Sequence, residues 1–219
     1  MVSPASEFGR DDSGAAMVEM AIVLPLLLIL LLGFVDFGYA FYQWNGANKA
    51  VQAGARLAEV SDPIASGVAL EGGTPSNTLQ VGSVVPVNTY DYVCVANAAG
   101  TASCSCAAGT CQGLTVSTTG QAAFNLIYGG DPVVAGQSRR PGMVDFFPFL
   151  RKQNLQVEYI ATGLGYWTRP GGPVPTIRVS IVNHPFQFFF LGGLLGFANI
   201  TMPTMLSTVT GEDLKVTYP

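Results

Sequence analysis

Charged side chains are scarce in this sequence. Asp, Glu, Lys and Arg make up 11% of the 219 residues, whereas hydrophobic residues make up 49%. Soluble domains usually contain about 25% charged residues. The 10 basic residues are outnumbered by 14 acidic ones, and the resulting net charge of −4 argues against a nucleic-acid partner, which would require a basic face. The composition predicts a membrane-attached chain with one modest folded domain.

Motifs of catalysis and cofactor binding are also missing. The single histidine, His184, is not accompanied by a G-x-S-x-G nucleophile pattern. Gly163 and Gly165 do not complete a dinucleotide-binding or phosphate-binding loop. We therefore expect no enzymatic activity, no cofactor, no metal and no small-molecule substrate.

One long apolar run dominates the N-terminal part of the chain. Residues 20–35 (MAIVLPLLLILLLGFV) carry no formal charge, but as a helix they cover only about 24 Å. A membrane span needs about 20 apolar residues, so the predicted transmembrane helix extends over residues 15–42. Aromatic residues crowd its C-terminal edge, as they do at membrane interfaces: Phe34, Phe37, Tyr39, Phe41, Tyr42 and Trp44.

The helical pattern continues beyond the apolar run, over residues 43–60, until Pro63 ends it. Small residues recur along this continuation at helical spacing. They fit close packing against another membrane helix or packing on a sheet of the same chain, and the sequence does not decide between the two.

Two acidic residues, Glu19 and Asp36, lie in the predicted transmembrane helix. A carboxylate inside a bilayer is costly, so such residues are candidates for a function. Asp36 is close enough to the end of the helix for simple solvation by interfacial water. Glu19 lies deeper, and solvation explains it less well.

The residues before Glu19 form a recognisable processing pattern. A short polar leader, residues 1–14, ends in Gly14, and the apolar helix begins at Ala15. Cleavage between Gly14 and Ala15 would make Glu19 the fifth residue of the mature chain, which is the pattern of type IV prepilins. A secretory signal peptide is instead cut after its apolar stretch.

Residues 14–60 resemble the N-terminal region of TadE-like proteins, which are pilin-like components of the tight-adherence (Tad or Flp, type IVc) pilus system. The resemblance rests on a G-A-x-x-V-E-x-A start at 14–21, a leucine-rich run at 24–32, an acidic-Phe-Gly element at 36–38 and Gly-Ala-Arg at 54–56. It implies a minor pilin or pseudopilin that a prepilin peptidase cuts before Ala15. It also implies that Glu19 accepts a hydrogen bond from the new N-terminal amine of a neighbouring subunit. The implied partners are membrane lipid, the prepilin peptidase, other pilin-like subunits and the inner-membrane pilus platform.

Four cysteines lie close together in a Gly-, Ala- and Thr-rich loop: Cys94, Cys104, Cys106 and Cys111. In an extracytoplasmic chain this even number predicts two disulfides. Free thiols and a metal knot are the alternatives, although the spacing lacks the paired C-x2-C of a zinc site. A bond between Cys104 and Cys106 would close a very short loop, which leaves Cys94–Cys104 with Cys106–Cys111, or Cys94–Cys106 with Cys104–Cys111.

The membrane topology follows from weighing two signals. The basic residues near the span, Arg10 before it and Lys49 and Arg56 after it, mildly favour a cytoplasmic C-terminal part. The cysteines and the prepilin pattern favour the opposite. We therefore expect a single-pass protein of the inner membrane whose C-terminal domain is periplasmic or extracellular, or part of a pilus.

Residues 61–219 are predicted to form an extracytoplasmic β-rich domain. Residues 61–152 read as loops with short strands, among them 93–95 and 114–117. Apolar and polar residues alternate at 155–159 and 177–181, which predicts half-buried antiparallel strands, and a last strand is expected within 200–210. The predicted fold class is α+β and pilin-like, with the long N-terminal helix packed on a C-terminal antiparallel sheet and a disulfide-containing loop.

Two apolar segments of this domain allow more than one interpretation. Residues 139–152 (RRPGMVDFFPFLRK) combine bases with aromatics, and a buried aromatic turn is favoured over contact with anionic headgroups. Residues 186–198 (FQFFFLGGLLGFA) are short and glycine-rich for a membrane span, so a core or interfacial segment that touches membrane or a partner is favoured over a second transmembrane helix.

Two other functions remain open. The chain could be an uncleaved, single-pass, membrane-anchored binding domain. It could also be a secreted protein cut after Ala40, because residues 38–40 weakly resemble a signal-peptidase site.

Overall fold

The computed structural model describes residues 12–70, 82–132, 135–136, 138–167, 174–186, 188–190, 192 and 200–214. Most of the predicted leader, residues 1–11, lies outside this range. The helices are α1 (Asp12–Glu59), α2 (Ser66–Leu70), α3 (Thr118–Gly129) and α4 (Met143–Phe146). The strands are β1 (Tyr90–Ala96), β2 (Ala102–Gly109), β3 (Leu155–Ile160), β4 (Thr176–Ile181), β5 (Pro185–Phe186), β6 (Ile200–Thr201) and β7 (Met205–Thr210).

The helix α1 is 48 residues long and agrees closely with the helix predicted over residues 15–60. Among the described residues it is the one helix that is long and apolar enough to cross a membrane. Its large apolar side chains from Met17 to Val35 are mostly exposed, so the described protein residues do not cover them. This exposure is what a segment surrounded by lipid requires.

Five antiparallel strands form one sheet in the order β2-β1-β3-β4-β7. The strands predicted at 155–159 and 177–181 are confirmed as β3 and β4. The last predicted strand is also confirmed, because β6 and β7 both lie within residues 200–210. The short strands β5 and β6 form a separate two-stranded sheet. The predicted α+β class, with a long helix and a C-terminal antiparallel sheet, is therefore confirmed.

The second half of α1 packs on one face of the five-stranded sheet. Its buried side is built of small residues: Ala47, Ala50, Val51, Ala55 and Ala58. A methyl group on Gly54 would lie 3.2 Å from Val179 Cγ1 on β4, so glycine allows this close approach. The small residues of this helix thus serve packing on the sheet of the same chain, one of the two readings that the sequence left open.

Two expectations for residues 61–152 were wrong. Residues 114–117 do not form a strand, since Val116 makes only an isolated bridge with Ala65. The expected absence of helices is contradicted by α3, which begins after Ser117, whose hydroxyl accepts a hydrogen bond from the Gly120 amide at 3.0 Å. Helix α3 buries Gly120 and three apolar residues at helical spacing: Ala123, Phe124 and Ile127.

The chain divides into two compact units. One consists of the chain as far as Tyr42 together with Phe186–Ile200. The other consists of Gln43–Pro185 and Thr201–Pro219 and contains the five-stranded sheet. The Phe-rich segment after β4 therefore groups with the apolar part of α1.

Candidate functional site

The two residues of the predicted processing site, Gly14 and Ala15, lie on α1 together with Glu19. Residues 15 and 19 are one helical turn apart, about 6 Å along the axis, and share a face of the helix. Gly14, Ala15 and Glu19 are exposed, and a methyl group placed on Gly14 would have no neighbour within 4 Å among the residues that the structure describes. The described residues of the chain therefore leave this face uncovered.

Asp36 has a different environment. Its side chain is fully buried, and its carboxylate accepts hydrogen bonds from the backbone amides of Phe189, at 3.1 Å, and Phe190, at 3.0 Å. The expectation that interfacial water solvates Asp36 was wrong. A chain segment that lies far away in the sequence supplies the donors instead, and amide bonds to a carboxylate are stronger than bonds between neutral groups.

Aromatic rings surround this carboxylate. The Phe37 and Phe188 rings meet edge to face with centroids 6.0 Å apart, and the Tyr39 and Phe189 centroids are 5.0 Å apart. The ring centroids of Phe186 and Phe188 are 5.0 Å apart. Phe186, Phe188 and Phe189 thus pack on α1. Residues 187, 191 and 193–198 of the segment lie outside the described residues.

A comparison with known families bears on the same helix. Residues 14–56 match the family model of TadE-like proteins. The predicted resemblance is thereby confirmed over about a fifth of the chain, which includes the processing site, Glu19 and Asp36. The match associates the chain with the Tad pilus system. No curated protein and no solved structure matches the chain significantly.

Beyond the TadE-like segment, two disulfides link the four cysteines. Cys94 is bonded to Cys104 and Cys106 to Cys111, which is one of the two pairings that the sequence left open. The predicted loop is in fact a hairpin, because Cys94 lies on β1 directly opposite Cys104 on β2. The first disulfide links the edge strand β2 to β1, and the second links β2 to the segment that follows β2.

The basic and aromatic segment at 139–152 is only partly the buried aromatic turn that the sequence favoured, because Phe146 and Phe149 are exposed. Phe147 is 1% exposed. Arg139 is paired with Asp145, and Arg140 with Asp131 at 2.8 Å. Hydrogen bonds from Arg140 lower the pKa of Asp131 to about 2. These arginines are therefore neutralised within the chain.

Sequence reasoning missed a small charged cluster on the other face of the sheet. Glu158 on β3 and Arg178 on β4 are register partners joined by an ion pair of 2.8 Å. Burial raises the pKa of the nearby Asp91 carboxyl, the negative charge of Glu158 raises it further, and Arg178 partly opposes both. The alternation of polar and apolar residues along β3 and β4 predicts which side chains lie on this face of the sheet. It does not predict which of them form an ion pair.

Metal binding has no support in the described ranges. Within them, no three His, Cys, Asp or Glu side chains form a group that could hold a metal ion. Two acidic residues of α1, Glu19 and Asp36, are the candidate functional residues that remain.

Proposed function

We propose that this TadE-like chain is a minor pilin or pseudopilin-like structural component of a Tad (type IVc) pilus assembly and adhesion apparatus, and not an enzyme. The observation that carries the proposal is the position of Gly14, Ala15 and Glu19 at the start of an exposed apolar helix that matches the TadE-like family. A prepilin peptidase cuts between Gly14 and Ala15, and the mature chain begins with the Ala15 ammonium group.

Glu19 needs a partner from outside its own chain. In the described part of the chain, Asp36 receives two amide hydrogen bonds, whereas the exposed Glu19 receives none. In lipid or among packed helices, an unpaired carboxylate is expensive, and the ammonium group of a neighbouring Ala15 would compensate it. Removing one partner of such a pair strands the other at a cost of about 3–5 kcal/mol. Glu19 thus selects a neighbour whose N-terminus lies at the matching height.

In this proposal α1 crosses the inner membrane once. The domain after Tyr42 faces the periplasm or the outer surface, where two disulfides form and persist. The partners are membrane lipid, the prepilin peptidase, other pilin-like subunits and the inner-membrane pilus platform.

The test combines the N-terminus of the native protein with substitutions of Glu19. Mass spectrometry of the chain from its native envelope should find Ala15 as the first residue. Glu19→Ala should leave that cleavage intact but abolish co-purification with the pilus platform and pilus assembly. Glu59→Gln, which changes another acid of α1, is the matched control and should assemble normally.

Three results would contradict the proposal. A native chain that still begins at Met1 would indicate the uncleaved membrane-anchored binding domain. A chain that begins at Phe41 would indicate a secreted protein. Normal pilus assembly with Glu19→Ala would remove the role of Glu19 even where cleavage occurs.

A further inference from the structure

A Phe-rich surface is held beside the apolar helix by Asp36. We call Phe188, Phe189 and Phe190 the aromatic foot. The Phe189 side chain is 64% exposed and that of Phe190 42%. The neighbouring aromatics of α1 are exposed as well, with Phe37 at 61%. Together they form an apolar surface that is continuous with the bare helix, and large surfaces of this kind mark contacts with membranes or proteins.

The position of the aromatic foot along the axis of α1 matches one boundary of a bilayer. The two amide hydrogen bonds fix Phe189 and Phe190 at the level of Asp36. Residues 15 and 36 lie about 32 Å apart along the helix axis. The hydrocarbon core of a bilayer is about 30 Å thick. A helix that enters the hydrocarbon core at Ala15 therefore reaches its far edge at Asp36, where the foot is attached, and residues 37–42 lie in the headgroup region.

Hydrogen bonding explains why an acid stands at this position. Non-helical backbone cannot rest at the edge of the hydrocarbon with unsatisfied N–H groups, because each costs several kcal/mol. The Asp36 carboxylate accepts the amides of Phe189 and Phe190. The same two donors compensate the carboxylate charge where water is scarce. Asp36 thus makes an irregular segment compatible with the membrane boundary.

We propose that the aromatic foot inserts into the headgroup–acyl boundary of the phospholipid bilayer, as a second membrane contact anchored to the transmembrane helix by Asp36. Phe is one of the residues that form the buried apolar face of segments lying at this boundary. The occupant is lipid because the foot continues the exposed surface of α1. The inference rests on α1 lying in a bilayer, which the proposed function shares, but not on cleavage or on assembly.

Photo-crosslinking to lipid tests the contact directly. The full-length chain carries p-benzoylphenylalanine in place of Phe189, Phe190, Phe34 or Phe149, one at a time, and is reconstituted into vesicles of tritiated phosphatidylethanolamine and phosphatidylglycerol. Phe34 lies on the apolar helix, and Phe149, with a 44% exposed side chain in the other unit, matches Phe190 in exposure. We expect the lipid label at Phe189 and Phe190 to come within about twofold of Phe34 and to exceed Phe149 at least fivefold.

The anchor is tested in the same assay. Asp36→Ala removes both acceptors and should reduce the label at Phe189 at least threefold while the label at Phe34 stays unchanged. Asp36→Asn keeps one carbonyl acceptor and should reduce the label less. An unchanged label at Phe189 in Asp36→Ala would overturn the role of the carboxylate.

The remaining outcomes separate this inference from the proposed function. Label at Phe34 without label at Phe189 and Phe190 would overturn the foot and leave the membrane helix standing. Label at Phe149 equal to that at Phe190 would overturn a specific contact, and so would a protein–protein adduct at Phe189 in place of a lipid adduct. Absence of label at Phe34 as well would overturn both the foot and the membrane anchor.

Discussion

Gly54 sets the distance between α1 and the domain, and its replacement by alanine tests that packing. A Cβ atom at Gly54 would lie 2.5 Å from Met143 Sδ and 2.8 Å from Met143 Cγ. The Met143 side chain is fully buried at the start of α4 and has little room to move. The substitution therefore forces either Met143 or the helix to shift.

The expected change follows from two opposing effects. Overpacking a closely packed core destabilises by about 1–3 kcal/mol. Alanine in place of glycine inside a helix stabilises by about 1 kcal/mol. We expect Gly54→Ala to lower the free energy of unfolding by about 1 kcal/mol. Met143→Ala alone should lower it by about 2–5 kcal/mol because it leaves a cavity.

A double-mutant cycle isolates the contact between the two residues. When Met143 is alanine, the methyl group at Gly54 has lost its clash and partly fills the cavity, so Gly54→Ala becomes stabilising by about 1 kcal/mol. The coupling free energy is then about 2 kcal/mol. It is measured by urea unfolding of the oxidised full-length chain in detergent micelles, followed by the fluorescence of the buried Trp167.

A second glycine of the same helix provides the control. A Cβ at Gly38 would meet no described atom within 4 Å, so Gly38→Ala has no clash to set against the helix-propensity gain and should not lower the free energy of unfolding. Two results would refute the close contact between α1 and Met143. One is a Gly54→Ala protein that is more stable than the wild type by the full gain in helix propensity, and the other is a coupling free energy near zero.

Two carboxylates of the domain should change stability with pH in opposite directions. Burial raises the pKa of Asp91, so its ionisation destabilises the folded state as pH rises. Asp91→Asn should therefore raise the urea midpoint at pH 7, and this gain should vanish by about pH 3. Hydrogen bonds from Arg140 lower the pKa of Asp131 to about 2, so its contribution is present above about pH 4 and is lost toward pH 2. Asp131→Asn should lower the urea midpoint at pH 7 and leave it unchanged at pH 2. A lowered midpoint for Asp91→Asn at pH 7, together with a raised one for Asp131→Asn, would contradict the two pKa shifts.

Local patterns predicted the long helix and the central strands because both carry strong periodicity. The uncharged run and its aromatic edge fixed α1 to within a few residues, and alternation at 155–159 and 177–181 fixed β3 and β4. Helix α3 also carried a signal, namely Ser117 before apolar residues at helical spacing and Gly130 after them. The surrounding richness in Gly, Ser and Thr obscured that signal.

Contacts between distant parts of the chain could not be predicted in this way. The amides that bind Asp36 belong to residues 189 and 190, and no local pattern links those positions to α1. The cysteine spacing likewise left two pairings open, since the choice depends on the β1–β2 register that places Cys94 opposite Cys104. In both cases tertiary structure supplied the partner.

Glu19 and Asp36, the two acids of the predicted transmembrane segment, lie in different environments, although the sequence presents them as one feature. Asp36 accepts hydrogen bonds from the backbone amides of residues 189 and 190 of its own chain. Glu19 is exposed near the other end of the apolar stretch. In the proposed function α1 lies in lipid, where a carboxylate must be compensated, and a second molecule supplies the partner of Glu19. A substitution at Asp36 therefore removes a contact within the chain, whereas under the proposed function a substitution at Glu19 changes only what the chain assembles with.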